Sequence, residues 1–156
     1  MATWADLTRG NAAIAKLGRE LLYRTGSGEA LLATVRGDGL PRIHPIAVGI
    51  VSERVVAFIN DSPKGRDLAR DGRYALHSHL DLQVPRELEL RGRARVVTDA
   101  QLRDEAAAGW SFEVDDGYTL YELDIEHALI GERASRNVWP PHYTSWQAAS
   151  ADGVPG

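Results

Sequence analysis

Between residues 30 and 127 the chain is cut at short intervals by turn residues, and the segments between the turns alternate apolar and polar side chains. Alternation with a period of two buries one face of an extended strand, and short turn-bounded runs favour antiparallel neighbours. Residues 87–97 are the clearest case. Leu88, Leu90, Gly92, Ala94 and Val96 share one face, and Glu87, Glu89, Arg91, Arg93 and Arg95 the other. Residues 30–36, 41–51, 55–60, 73–79 and 118–127 read as five more strands. Asp38-Gly39 is a hairpin signal, and Pro45 puts its strand at an edge or a bulge. The small residues Gly92 and Ala94 fit a strand bending around a tight barrel. Six antiparallel strands with few helices predict a mainly β chain built on a small closed or partly closed barrel.

Helical spacing of Trp4, Leu7, Ile14, Leu17 and Leu21 predicts a helix over 3–23, with Thr3 and Asp6 offering a capping box. Gly10-Asn11 can divide it in two, and residues 25–28 end it. Further helices are expected at 63–70 and at about 100–108, the latter capped at Thr98-Asp99. The chain divides into 1–28, 29–132 and 133–156, the last without a regular period. At 156 residues it buries about 70% of its unfolded surface without covalent help. It has no cysteine, which excludes disulfides, thiolate nucleophiles and zinc-thiolate sites. The net charge of −4 argues against nucleic acid as a partner. No apolar run reaches membrane-spanning length, and no leader pattern opens the chain, so the expected location is the cytoplasm.

The chemistry concentrates in residues 58–68. A strand ends at Phe58, Ile59 and Asn60, Ser62 stands at a helix cap, Pro63 follows at the first helical position, and Lys64 and Arg66 lie in the first turn. Cations there oppose the positive end of the helix dipole, at a cost of a few tenths of a kcal/mol each. Asp61 and Asp67 offset part of this. A bound anion reverses the sign, because free N–H groups, a hydroxyl and two cations converge on it, and phosphate is the obvious candidate. A capped surface helix with solvated cations fits the same spacing. Lys64 is one of only two lysines, beside sixteen arginines.

Three pieces in order carry a family resemblance. They are Leu32-Ala33-Thr34-Val35-Arg36 with Asp38-Gly39-Leu40-Pro41-Arg42-Ile43-His44-Pro45, then Ser62-Pro63-Lys64-Gly65-Arg66-Asp67-Leu68, then Arg73-Tyr74-Ala75-Leu76-His77-Ser78. From about residue 29 to 97, and less closely to 130, the chain resembles the pyridoxamine 5'-phosphate oxidase-like split-barrel proteins. The resemblance implies a six-stranded antiparallel split β-barrel that forms a homodimer and binds FMN, or the deazaflavin coenzyme F420, at the subunit interface, with a small-molecule substrate. By position, Ser62 and Lys64 hold the cofactor phosphate with Arg66 assisting, and Gly65 belongs to the same cofactor-binding turn. Phe58, Ile59 and Asn60 line the ring or ribityl path, and the strand carrying Arg42 and His44 runs beside the ring. Residues 1–28 become a helical preface, 29–132 the flavin domain, and 133–156 a tail packed on the barrel or the partner. In that tail Arg136, Trp139, His142, Tyr143 and Trp146 are candidates to cover the cofactor, Trp139 first among them.

The chain departs from the vitamin B6 oxidases in two places. Their Arg and Lys on the second strand are replaced by His44 and Gly49, and their carboxy-terminal Arg-Leu-His-Asp-Arg signature is missing, so oxidation of pyridoxamine phosphate itself is not expected. The reading is an FMN-dependent oxidoreductase with no side chain singled out as catalytic. Its rivals are an F420-dependent reductase and a non-enzymatic flavin- or haem-binding protein. His77 and His79 have metal-ligand spacing but no third ligand nearby, so no metal is expected. Gly37-Asp38-Gly39 is a turn and not a nucleotide loop. The stripe of Arg91, Arg93 and Arg95 lies beside Glu87 and Glu89 and reads as paired surface charge. The six acids of 111–126 read as a solvated face.

Overall fold

A computed structural model describes residues 1–81, 83 and 85–150. Its first segment is two helices, α1 (Trp4–Gly10) and α2 (Ala12–Leu22). Asn11 separates them: its backbone N–H donates to the Leu7 carbonyl at 2.7 Å, and its Oδ1 accepts from the Ile14 N–H at 3.1 Å. One residue ends the first helix and caps the second. The Thr3–Asp6 capping box is complete, with Thr3 N–H to Asp6 Oδ2 at 2.8 Å and Asp6 N–H to Thr3 Oγ1 at 3.3 Å. Both helices bury an apolar stripe of Trp4, Leu7, Ile14, Leu21 and Leu22 in the main core.

Beyond them the chain runs β1 (Glu29–Val35), β2 (Pro41–Ala47), β3 (Gly49–Val51), β4 (Arg54–Asn60), α3 (Pro63–Arg70), β5 (Arg73–His77), β6 (Arg86–Val96), α4 (Ala100–Ala108), β7 (Tyr118–Glu132) and β8 (His142–Gln147). All pairings are antiparallel, in the order β2-β1-β5-β6-β7-β4-β3, with β8 added to β7. The sheet thus has eight strands where six are expected. The expected strand 41–51 breaks at Val48, whose N–H turns to the Gly28 carbonyl at 3.0 Å. As a result β2 and β3, adjacent in sequence, occupy opposite ends of the strand order. One bent segment joins the two ends, which rolls the sheet into a split-barrel-like form. Pro45, with no N–H to give, sits on the end strand β2.

The second extra strand, β8, comes from the tail. Its residues alternate between exposed and half-buried and carry no strong apolar pattern. Residues 151–156 of the expected tail lie outside the described residues. No helix among the described residues is long and apolar enough to cross a membrane.

On β7 the expected alternation fails at a bulge. Arg91 pairs with His127, but Gly92 pairs with Ile125, so Glu126 is the extra residue. A Cβ on Gly92 would collide with the Asp124 carbonyl, so the bulge requires glycine there. The bulge re-phases the strand: Tyr121, Leu123 and Ile125 reach the core before it, Ala128 and Ile130 after it. The acidic run is a solvated face only in part: Glu113, Asp115, Asp116 and Glu126 are exposed, but Glu122 and Asp124 are buried at 5% and 3% exposure. Arg95 reaches both, at 3.2 Å to Glu122 Oε2 and 3.1 Å to Asp124 Oδ2. Burial raises the Asp124 pKa; Arg95 opposes that and Glu122 adds to it. Their neighbours on the arginine stripe pair with acids on the surface, Arg91 with Glu89 at 2.8 Å and Arg93 with Glu126 at 3.5 Å. Val96, expected inside, is exposed.

Two apolar clusters result. The larger fills the curved sheet with Leu32, Ala57, Ile59, Leu76, Leu90 and Leu123, and the smaller lies under α4, where Val56, Phe58 and Leu120 meet Leu102 and Ala106.

Candidate functional site

β4 delivers Asn60 to the end of the sheet, and α3 starts three residues later, at Pro63. Ser62 caps it: its Oγ accepts from the Gly65 N–H at 3.3 Å and donates to the Asn60 carbonyl at 3.2 Å. The Arg66 N–H donates to the Ser62 carbonyl at 2.9 Å, and Pro63 has no N–H. A Cβ on Gly65 would stand 2.7 Å from the Asn60 carbonyl oxygen, so glycine lets the first turn lie directly on the strand end.

An α-helix turns about 100° per residue, which sorts the side chains of α3 onto flanks. Leu68 is buried in the main core, and Lys64, one turn earlier, stands on that same flank. Lys64 is half-buried and has no ion-pair partner among the described residues. Arg66 projects from another flank and pairs with Asp61 at 2.8 Å. The two cations that sequence spacing places in one turn therefore point apart.

Asp67 is the group that sequence reading undervalued. Its carboxylate is buried and accepts from Thr34 Oγ1 at 2.8 Å, Arg42 Nε at 2.7 Å and Arg70 Nη2 at 3.2 Å. Burial opposes ionisation, but the hydrogen bonds from Arg42, Thr34 and Arg70 outweigh it and hold the pKa at about 2. Arg42 is accordingly anchored to α3 by a carboxylate. The i, i+3 relation of Asp67 and Arg70 was visible in the sequence; the contribution of Thr34 and Arg42 was not.

His44 lies two residues from Arg42 on the inward face of β2, opposite Leu32, and its Nε2 is buried without a hydrogen-bond partner. Trp110, from the loop after α4, has a buried Nε1 in the same condition. Its ring meets Phe58 edge-on at 5.0 Å, and Arg103 lies over the Phe58 ring at 5.1 Å. Phe58 is thus enclosed in the cluster under α4, Ile59 in the main core, and only Asn60 of these three is exposed. Trp139 is 75% exposed and lines a separate cleft of about 170 Å³ with Arg136, Pro141 and Tyr143. Tyr118 of β7 pairs with Asn60, and Gly131 with Tyr143; at ~3.3 Å per residue, roughly 40 Å of strand separates the two places. The cleft at Trp139 takes no lining residue from α3 or from residues 58–62. His77 is held at both ring nitrogens, by the Ser78 carbonyl at 2.6 Å and Glu87 at 3.2 Å. Among the described residues no three metal-ligating side chains converge.

Comparison with known proteins agrees with this architecture. The profile of the family described as pyridoxamine 5'-phosphate oxidase matches residues 23–130. A heme binding protein from Mycobacterium smegmatis superposes with a TM-score of 0.62 at 17% identity, covering 81% of this chain and 55% of its own, so this chain spans about half its length. A nimC/nimA family protein from Clostridium acetobutylicum gives 0.61 at 16% identity over 84% of this chain and 94% of its own. PhzG from Burkholderia lata, solved with tetrahydrophenazine-1-carboxylic acid, gives 0.53 at 17% identity over 95% and 94%. No curated protein matches significantly by sequence. At these identities the structural matches speak for the fold.

Proposed function

Because the chain belongs to the pyridoxamine 5'-phosphate oxidase family, we propose that it is an FMN-dependent oxidoreductase acting on a small molecule, with the cofactor between two copies of the chain. The observation that carries this reading is the state of Lys64. Arg66 and Arg70 of the same helix, and Arg36 and Arg42 of the hairpin packed on its other flank, all have carboxylate partners, while Lys64 stands half-buried at the positive end of α3 with no ion-pair partner among the described residues. That arrangement is unfavourable alone and favourable with a phosphate.

The residues present fit such a group. Lys64 supplies charge and its amide N–H a hydrogen bond, and the Ser62 hydroxyl supplies another by turning its hydrogen from the Asn60 carbonyl to the phosphate. Gly65 keeps the approach open by bringing the turn against Asn60. His44 Nε2 offers a polar atom about 7 Å along β2 from the Arg42 anchor. Leaving it buried and unpaired costs roughly 1–3 kcal/mol, a cost a polar edge of the cofactor removes. Of the arginines that the family resemblance assigns to the cofactor, Arg42 is tied to the buried Asp67 and Arg66 projects from a different flank than Lys64, so the phosphate contacts fall to Ser62 and Lys64 on the turn that Gly65 shapes. When bound, FMN supplies two-electron chemistry; the chain's residues hold, orient and shield it. Trp139 lines a cleft apart from Lys64 in its own chain, so a role for it over the cofactor requires a second copy, and the homodimer is part of the proposal. The absent Arg–Lys pair of the second strand and the absent tail signature direct the activity to substrates other than pyridoxamine phosphate.

A second reading draws on the likeness to the heme binding protein and to HutZ, a heme storage protein of Vibrio cholerae. In it the chain is a carrier, and the unpartnered His44 nitrogen is the iron ligand. Titration of the purified protein with FMN, coenzyme F420 and haem separates these readings. FMN is expected to bind, and Ser62→Ala with Lys64→Ala to weaken it by about 2–4 kcal/mol, tens- to a thousandfold. Haem binding lost in His44→Ala would select the carrier, F420 binding without FMN the deazaflavin reductase. Failure of all three ligands would refute the functional account.

A further inference from the structure

On the flank of α3 away from Lys64, Pro63, Arg66, Asp67 and Arg70 recur at helical spacing and face the β1–β2 hairpin. There they meet Arg36, Asp38 and Arg42 across an open cleft of about 400 Å³. Four guanidinium groups and two carboxylates line it. Asp67 is shared between Arg42 and Arg70, and Asp38 pairs with Arg36 at 3.0 Å. One carboxylate between two guanidinium groups leaves positive charge unbalanced, and the low pKa of Asp67 keeps that carboxylate from titrating in the physiological range.

The two inner arginines are already immobilised. Arg42 contacts Asp67 through Nε. Arg70 donates from Nη2 to Asp67 and, at 2.7 Å, to the Val35 carbonyl. The rest of each guanidinium fork lies in the cleft wall, with its rotamer set before any ligand arrives. A staple tying the hairpin to α3 explains Arg42 and Arg70. Arg36 and Arg66 take no part in it: they line the same cleft in exposed pairs with Asp38 and Asp61, at 3.0 and 2.8 Å, which water screens and a multivalent anion can displace.

We propose that this cleft binds a small polyanion with at least two phosphate or carboxylate groups, at a place distinct from the Lys64 phosphate site. Arg42 and Arg70 form its rigid floor. Arg36 and Arg66, on exposed side chains, close on the ligand from the hairpin and from the helix. Guanidinium forks suit both kinds of oxyanion.

The test is calorimetric titration of the full chain at low salt with pyrophosphate and, separately, with citrate, each with and without FMN. One probe is expected to bind one site per chain, at least about tenfold more weakly in Arg36→Ala/Arg66→Ala, and more weakly again as salt rises. Tighter pyrophosphate assigns a phosphate ligand, tighter citrate a carboxylate. Both arginines are largely exposed, so an unchanged unfolding midpoint is expected to accompany the loss. Lys64→Ala is expected to leave probe binding intact, and this holds whether or not FMN binds. The proposal is overturned if neither probe binds the unaltered chain, if the double variant binds both as tightly, or if saturating FMN or Lys64→Ala abolishes probe binding.

Discussion

Replacing Asp67 with Asn keeps the shape of the side chain and removes its charge. In the native protein the carboxylate accepts from three donors on three elements, Thr34 of β1, Arg42 of β2 and Arg70 of α3. An amide with its oxygen in the place of Oδ2 still accepts from Thr34 and Arg42 but turns its N–H group toward Arg70, and it no longer carries the charge that balances the two arginines. Breaking a buried ion network by removing one partner costs roughly 3–5 kcal/mol. Here the arginines are partly exposed and can relax toward water, so about 3 kcal/mol is expected.

The pH dependence gives a second route to the size of the effect. The folded pKa of Asp67 is about 2 and its ordinary value 3.8, a difference of about 2 kcal/mol. The folded value is the depressed one. The stabilisation is therefore complete above about pH 4 and is lost as pH falls through the folded pKa near 2. Urea unfolding from pH 7 down to about 2 is expected to show the stability of Asp67→Asn falling less steeply than that of the native chain across that window. Asp6 and Asp71, also held below the usual range by their own partners, titrate in both proteins and cancel in the difference. A variant within about 0.5 kcal/mol of native at neutral pH, or with the same acid loss, would refute the reasoning.

Gly92→Ala is expected to cost about 3 kcal/mol or more in urea unfolding, because the new Cβ meets the Asp124 carbonyl at the bulge; a change below 1 kcal/mol would mean the bulge relaxes freely. Thr3→Ala removes one half of the capping box and the anchor of Asp6. It is expected to lower stability by about 1 kcal/mol, read as a lower thermal midpoint, and an unchanged midpoint would place α1 outside the cooperative unit.

What the sequence determined by itself is local. Alternation on either side of Asp38-Gly39 marked β1 and β2, Ser62-Pro63 placed the start of α3, and Gly10-Asn11 marked the break between α1 and α2. Each signal acts within a few residues, where backbone preference, capping and turn geometry decide the outcome. Lys64 stood out for the same reason, as a cation written into the first turn of a helix.

Only the tertiary structure decided the rest. The chain leaves one end of the sheet and joins the other at Val48 because Gly28 offers a carbonyl there. The bulge at Gly92 selects which residues of β7 face inward, and β8 exists because β7 extends far enough to pair it. The buried acids follow the same rule: Asp67 takes its partners from residues 33 and 25 positions earlier, and Glu122 takes Arg95 from 27 positions earlier. Which cation remains free for a ligand depends on which carboxylates the fold brings to the others. That assignment of counter-charges is a property of contacts distant in sequence, and no short-range pattern encodes it.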